Sequence, residues 1–219
     1  MTQDPPKDNL SGSAGKDIVD ERRQNADHDA YFNAQFDAQA VYVDPGTVNC
    51  CDHSGEMLVA TVGSGVLLTI YDHELKIGSM GYVILPDAVL ECFPFLDKAD
   101  QTLVRKAFEP IEGCVVEMKK RGAGKNRIRI RLFGGVIRGE ENHEKDHDRG
   151  LKNTVFVQEY LFRKGLQVLN ADIGGPFIRR VHFFPTTGRA VQRLLKRQND
   201  FQEMDALESD FNKIITSDA

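Results

Sequence analysis

The sequence predicts a single α/β domain with mixed strand directions, on three observations. Short β-type runs come first, at residues 41–43, 57–62, 66–71 and 81–85, and glycine or proline turn residues separate them. Helix-type segments follow later, and strands and helices do not alternate as they do in a doubly wound parallel sheet. The length of 219 residues suits one domain with tails.

The middle of the chain predicts a helix followed by a β-hairpin. Residues 97–108 carry apolar side chains at helical spacing, and Pro110 is expected to end that helix. Residues 115–118 and 127–133 are β-type runs on either side of the glycine-containing segment 121–126, so they are expected to pair as a hairpin.

Three arginines, Arg127, Arg129 and Arg131, alternate with apolar residues in the second arm of this hairpin. The alternation predicts a half-buried strand with a basic outer face. Such a row could bind phosphate or an acidic partner, but a solvated face that resists edge pairing is the favoured interpretation. The formal net charge of -5 argues against a nucleic-acid-binding protein.

Residues 140–149 are almost entirely charged and predict a surface loop. His143 and His147 are four residues apart, but no apolar residue anchors a helix there, so a metal site is not expected. Residues 153–164 predict an amphipathic helix that Gly165 ends.

The last third of the chain predicts two strands and a helix. Residues 166–170 and 179–184 are β-type runs around a tight turn at 172–175. Residues 191–215 are helix-type and strongly charged, which predicts a C-terminal helix with a frayed end.

These elements divide the chain into a tail, a domain and a second tail. Residues 1–38 are predicted to be a disordered N-terminal tail, because its first part contains almost no large apolar side chain. Residues 39–192 form the domain, and residues 193–219 form a charged C-terminal helix or tail. The chain shows neither a long apolar run nor a secretory signal, so we expect a cytoplasmic protein without membrane insertion. The four cysteines are therefore expected to be reduced, and their spacing does not indicate a zinc site.

Several short motifs stand in a fixed order along the domain. They are Thr61-Val62-Gly63-Ser64-Gly65, the segment 76–87 (KIGSMGYVILPD), Arg131-Leu132-Phe133-Gly134-Gly135, Gly150-Leu151-Lys152-Asn153, and Asp172-Ile173-Gly174-Gly175 followed by Arg179-Arg180-Val181. Over residues 41–192 their order and spacing resemble the CheD family, the chemoreceptor glutamine deamidases of bacterial and archaeal chemotaxis. The resemblance implies layered β-sheets with helices packed on one side, and neither a cofactor nor a metal ion.

The resemblance also implies a reaction. In the family, a cysteine thiolate at the end of a Gly-Ser-Cys turn attacks the carboxamide of a receptor glutamine, releases ammonia and forms a thioester that water hydrolyses. A histidine takes the thiol proton and then assists the water, and an upstream hydroxyl residue orients that histidine.

This sequence departs from the family at both reacting positions. Gly65 stands in the place of the cysteine, and Tyr82 stands in the place of the histidine. Thr61 fills the place of the hydroxyl residue only in a shifted register. Because glycine has no nucleophile and a tyrosine with a pKa of about 10 is a poor base at neutral pH, we predict a degenerate member without the ordinary deamidase activity.

Relocated chemistry is the alternative. Cys50 or Cys51, with His53 nearby in sequence, could supply a thiol to the pocket, although a structural role for both thiols is favoured. Ser64 adjoins the lost cysteine but has no evident base, and neighbouring strand residues point to opposite faces. His182 is expected to be a packed or surface histidine.

The motifs retain a set of turn and scaffold positions. These are Gly63, Ser64, Asp72, Pro86, Phe133, Gly134, Gly135, Asn153, Asp172, Gly174, Gly175 and Arg179. Ile178 is a further departure, because the family pattern has a glycine before the arginine.

Three hypotheses for function follow. The first is a chemotaxis protein that binds the cytoplasmic helices of chemoreceptors, or a CheC-type phosphatase, without deamidation. The second is an active glutamine deamidase of methyl-accepting chemotaxis receptors that uses relocated residues. The third is a module recruited outside chemotaxis, with the arginine row at 127–131 as its contact face.

Overall fold

Residues 30–137 and 144–217, which the computed structural model describes, form two five-stranded β-sheets, four α-helices and one 3-10 turn at Leu96–Lys98. The strands of sheet A are Ala30–Asn33 (β1), Ala38–Tyr42 (β2), Glu56–Val62 (β4), Ile178–Phe184 (β9) and Arg189–Leu195 (β10). The strands of sheet B are Val48–Cys51 (β3), Val66–Asp72 (β5), Ile77–Val83 (β6), Ile128–Gly134 (β7) and Val168–Ile173 (β8). The helices are Asp87–Cys92 (α1), Gln101–Lys120 (α2), Glu144–Arg163 (α3) and Gln198–Ser217 (α4).

Both sheets have mixed strand directions, which confirms the predicted fold class. Sheet A has the order β1-β2-β4-β9-β10, in which β2 and β4 are parallel and the other neighbours are antiparallel. Sheet B has the order β3-β6-β5-β7-β8, in which β7 and β8 are parallel and the other neighbours are antiparallel.

The layers are sheet A, sheet B and then the helices. Strand β5 is buried on both faces, because its alternate residues point into the two cores on either side of sheet B. Leu67 packs in the core between the two sheets with Leu58 of β4 and Tyr82 of β6. Leu68 packs on the other side, in the core between sheet B and the helices, with Ile111 of α2.

The hairpin predicted across residues 115–133 is wrong, because its first arm belongs to α2. The helix continues past Pro110 to Lys120. Ile111, Cys114 and Met118 are buried and extend one apolar stripe toward sheet B. This burial outweighs the β propensity of residues 115–116 and the one backbone N–H that proline lacks.

Both chain ends differ from the predicted boundaries. Residues 1–29 lie outside the described residues, but β1 pairs with β2 from Ala30 opposite Val41, so the folded part already includes residues before 39. Residues 191–195, predicted as helix, form part of β10, which pairs with β9 along its length. Cross-strand pairing after the turn at Gly188, whose φ is 68°, overrides their helix propensity.

Helix α3 starts earlier than the predicted helix. Residues 144–149, predicted as loop, form its first part, which suits the helix propensity of glutamate and lysine. His143 and the side chain of His147 lie outside the described residues.

Strand β7 has the predicted alternation. Ile130 and Leu132 are buried toward the helices, while Arg129 is exposed and Arg131 is half-buried. Arg127 precedes the strand, and its guanidinium binds the Asp72 carboxylate at 3.0 Å. The arginine row is therefore not a uniform free face.

Candidate functional site

The sequence motifs converge on the turn at residues 63–65, called the central turn below, which joins β4 of sheet A to β5 of sheet B. Each of its carbonyl oxygens accepts a hydrogen bond. The Gly63 carbonyl accepts from the Val136 N–H at 2.9 Å, and the Gly65 carbonyl accepts from the Gly135 N–H at 2.7 Å. The Ser64 carbonyl accepts from the Asn153 side-chain amide at 3.1 Å.

Asn153 ties the central turn to the end of β6. It is fully buried near the middle of α3, and its Oδ1 accepts the Leu85 N–H at 2.7 Å while its Nδ2 donates to Ser64. One side chain thus satisfies a backbone group of the central turn and one of the segment after β6, so Asn153 is a positioning residue for the turn.

Gly134 and Gly135 allow backbone to approach backbone. A Cβ on Gly134 would lie 2.4 Å from the Gly65 carbonyl oxygen, and the φ of Gly134 is 114°. Any side chain there would push the central turn away, which explains the need for glycine.

Gly65 and Tyr82, which the sequence motifs predict to stand at the nucleophile and base positions, lie against each other. A Cβ built on Gly65 would be 2.5 Å from the Tyr82 Cε2 atom and 2.8 Å from the Val83 carbonyl oxygen. Tyr82 is fully buried in the core between the sheets, together with Val62 and Ile84. The tyrosine ring therefore fills the space into which a nucleophilic side chain at residue 65 would project.

The predicted hydroxyl residue lies on another face. Ala60 and Val62 belong to the core that contains Tyr82, and Thr61 alternates with them along β4. Thr61 is therefore turned to the outer face of sheet A, where it pairs in register with Arg180. It is not positioned to orient a group at residue 82.

The two candidate cysteines are also separate from the central turn. The Tyr82 N–H donates to the Thr47 carbonyl, whereas Cys50 lies opposite Ser79, three residues farther along β3. That offset is about 10 Å of strand at about 3.3 Å per residue. Cys50 packs in the helix-side core, on the opposite face of sheet B from Tyr82.

Both thiols are held in the neutral form. Burial raises the pKa of Cys50 above its ordinary value. Burial, and then the hydrogen bond to Glu56, raise the pKa of Cys51 to about 12. A neutral thiol is a poor nucleophile. The positions and the raised pKa values of these cysteines therefore both argue against relocated chemistry.

The three histidines whose side chains are described do not approach the central turn. The His182 ring contacts the Phe36 ring in a tilted arrangement with centroids 5.0 Å apart, on the outer face of sheet A. His53 is exposed beside Asp52, and His73 lies in the turn at the far end of β5.

The Asp172 motif braces the side of the site. Arg179 is buried and donates from Nε and Nη2 to Asp172 at 3.1 and 2.8 Å, and from Nη2 to the Gly174 carbonyl at 2.8 Å. The Gly174 N–H in turn donates to the Gly134 carbonyl at 2.9 Å. Gly175, with a φ of 68°, accepts the Ile137 N–H.

The other retained positions support the frame. Asp72 is buried and accepts the backbone N–H groups of Glu74 and Leu75 at 3.0 and 3.2 Å, which closes the turn after β5. Pro86 stands at the start of α1, and Phe133 packs in the core between the sheets.

The sequence interpretation predicted a C-terminal helix but missed that this helix, α4, covers the central turn. Ser64 donates its backbone N–H to Glu208 Oε1 at 2.8 Å and its hydroxyl to Glu208 Oε2 at 2.6 Å. A Cβ on Gly63 would lie 2.6 Å from Met204 Cγ. The available signal was one acidic residue inside the stripe Met204, Glu208, Phe211 and Ile215, which repeats at helical spacing.

A small cavity lies beside the contact between α4 and the turn. It has a volume of about 20 Å³, and Ser64, Val136, Arg149 and Glu208 contribute to its lining. The space holds about one water molecule. In the described parts of the chain, no group of three or more potential metal ligands comes together, and no helix is long and apolar enough to span a membrane.

Comparison with known proteins supports the family resemblance that the sequence motifs indicated. The family model described as "CheD chemotactic sensory transduction" matches residues 97–194. This match begins after the central turn and Tyr82 and ends before α4.

Three relatives cover most of the chain. A protein of Rhodopseudomonas palustris strain BisA53, named "Probable chemoreceptor glutamine deamidase CheD", is 33% identical over 187 residues, which are 84% of this chain and 83% of that protein. A CheD 2 protein of Burkholderia thailandensis with the same description is 31% identical over 80% of this chain and 85% of its own length. A protein of Xanthomonas campestris pv. campestris with that name is 33% identical over 69% of this chain and 71% of its own length.

Proposed function

The chain belongs to the CheD family, and from this premise we propose that it is a chemotaxis protein that binds chemoreceptor helices without deamidating them. The relatives are named for action on chemoreceptors. A receptor helix is therefore the first partner to test. A CheC-type phosphatase that presents a similar surface is the second.

The observation that supports the loss of catalysis is the contact between Gly65 and Tyr82. Deamidation through a thioester needs a nucleophile that adds to the carboxamide carbon and a base that takes the nucleophile's proton. At residue 65 the chain offers no side chain, and the Tyr82 ring fills the adjoining space at the 2.5 Å separation given above. The substitutions thus complement each other, because a ring of this size fits only where residue 65 has no Cβ.

The frame around the turn supports a binding role. Hydrogen bonds from Val136, Gly135 and Asn153 hold the central turn in place although its nucleophile is missing. A rigid turn between two sheets can still present backbone N–H groups and a serine hydroxyl to a polar side chain of a partner helix.

The test is incubation of the full chain with a glutamine-bearing cytoplasmic fragment of a chemoreceptor. Mass spectrometry follows the gain of about 1 Da per site that conversion of an amide to an acid gives, and a pull-down measures binding. A CheD relative with cysteine and histidine at the matching positions is the positive control. We expect binding without a mass gain.

Two results would contradict the proposal. A mass gain with the unmodified chain would show retained activity, and Cys50→Ser and Cys51→Ser would then identify the thiol responsible. An absence of both binding and mass gain would point to a role outside chemotaxis. If binding without turnover is found, the double variant Gly65→Cys/Tyr82→His should recover some deamidation.

A further inference from the structure

Helix α4 places a carboxylate on the central turn. Both Glu208 oxygens accept hydrogen bonds from Ser64, one from the backbone N–H at 2.8 Å and one from the hydroxyl at 2.6 Å. Ser64 is the neighbour of Gly65, the position of the family nucleophile. A glutamate side chain of this same molecule therefore binds the turn at which, by the family resemblance, receptor glutamine side chains are deamidated.

One face of α4 packs against the central turn and the residues around it. Met204, Glu208, Phe211 and Ile215 follow one another at helical spacing, and Phe211 packs against Gly46, where a Cβ would meet its Cε2 atom at 2.5 Å. Asn212 Oδ1 accepts the N–H of Asp87 at 3.0 Å, at the start of α1. An amphipathic helix with one central polar anchor is how a helix docks in a groove.

The residues on which α4 packs include one that departs from the family pattern. Ile178 stands where the pattern has glycine, and it forms a small separate core with Val136 and Met204. The isoleucine side chain thus provides apolar surface for the helix. The substitution at 178 and the docking of α4 are parts of one arrangement.

The contact of α4 with the central turn is a poor source of folding stability, because it buries the Glu208 carboxylate. Two apolar side chains of α4, Met204 and Ile215, are buried, and Phe201, Leu207 and Phe211 pack against the cores while partly exposed. Glu208 is buried although it is a carboxylate, and its near cation, Arg149, also binds Asp87. A buried carboxylate is typical of functional sites, and a helix whose apolar side chains are mostly only half-buried can open locally.

We propose that α4 is an internal occupant of the receptor-binding face, with Glu208 bound to Ser64 beside the position at which a receptor glutamine would react. A partner helix that carries glutamate or glutamine binds the central turn by displacing α4. This inference rests on the proposed function, because it takes the turn to be the place where receptor helices bind.

The first measurement is hydrogen exchange of the full chain, followed by mass spectrometry. Glu208→Ala removes both acceptors of Ser64 and should speed exchange in residues 198–217 about tenfold or more, with the sheets unchanged. Glu208→Gln keeps an acceptor of the same shape and should retain most of the protection. Asp210→Ala removes an exposed acidic residue of the same helix and should leave exchange unchanged.

The second measurement uses a labelled peptide of residues 198–217 added in trans. It should bind the Glu208→Ala protein about tenfold more tightly than the wild type, because a tethered competitor acts at an effective concentration of about millimolar. A peptide with alanine at position 208 should bind neither protein. The receptor fragment should show the same preference for the Glu208→Ala protein and should raise hydrogen exchange in α4 when it binds.

The outcomes separate this inference from the proposed function. If the peptide shows the expected preference but the receptor fragment binds no variant, internal docking of α4 is supported and the receptor as partner is refuted. If the receptor fragment binds all variants equally while α4 stays protected, receptor binding stands and displacement is refuted. Displacement is also refuted if the peptide binds neither protein, or if α4 exchanges only through global unfolding in every variant.

Discussion

The contact between Gly65 and Tyr82 predicts a specific coupling between two substitutions. Gly65→Ala adds one methyl group whose position is 2.5 Å from Tyr82 Cε2, 2.8 Å from the Val83 carbonyl oxygen and 3.3 Å from Ile84 Cβ. Gly65 is not one of the glycines with positive φ, so backbone strain does not contribute. Overpacking in a closed core should cost about 1–3 kcal/mol of the free energy of unfolding.

Removal of the tyrosine ring should reduce that cost. Tyr82→Ala alone should destabilise the protein by about 3–5 kcal/mol, because it opens a cavity in the core between the sheets. In the double variant the added methyl group at residue 65 points into this cavity. The cost of Gly65→Ala should then fall by about 1 kcal/mol or more, although the contact with the Val83 carbonyl remains.

Urea denaturation of the wild type, both single variants and the double variant measures this coupling. The matched control is Tyr82→Phe, which keeps the Cε2 atom and should show no coupling with Gly65→Ala. A coupling energy of zero in both cycles would refute the argument that the ring occupies the nucleophile's space. An equal coupling with Phe and with Ala would refute the assignment of the clash to the ring.

Three further predictions concern the frame and α4. Burial raises the pKa of Asp72, but three backbone N–H groups and a guanidinium hold it below the ordinary value. Asp72→Ala should therefore lower the free energy of unfolding by about 3 kcal/mol in urea titrations at neutral pH. This difference between the variant and the wild type should shrink as the pH falls through the lowered folded-state pKa. Asn153→Ala should cost about 2–4 kcal/mol by the same assay, because two buried backbone groups lose their partner, and Asn153→Asp should cost less if the Leu85 N–H bond dominates. Burial raises the pKa of Glu208 despite hydrogen bonds from Ser64 and the positive charge of Arg149, while Asp205 raises it further. The wild type should therefore lose stability as the pH rises from about 4.3 through the raised pKa, whereas Glu208→Gln should be flat in that range.

Local patterns predicted strands β4, β5, β7 and β9, but not β1, β3 or β10. The alternation along β7 follows from period-two burial, and it reads directly from residues 128–133. The glycine motifs marked the places where backbones meet, as at Gly134 against the Gly65 carbonyl. Such glycine positions can be predicted from the sequence because the constraint is steric and involves only one or two residues.

Long-range contacts explain what the sequence did not reveal. Nothing local shows that residues 115–118 bury one face against sheet B, so β propensity and Pro110 together suggested the wrong element. Likewise, the hydrogen bonds between Ser64 and Glu208 join residues 144 positions apart. An acidic residue in a charged C-terminal helix looks solvated until the fold brings the central turn beneath it.

The departures from the family pattern lie on opposite sides of one turn. On the inner side, Gly65 leaves room that the Tyr82 ring fills, and on the outer side, Ser64 binds Glu208 while Ile178 supports the covering helix. Neutral decay of an active site would remove a thiol or an imidazole without building complementary packing around the loss. Under the proposed binding function, the packing of Tyr82 against Gly65 and the hydrogen bond of Glu208 to Ser64 are both expected of a turn that is retained as a binding surface.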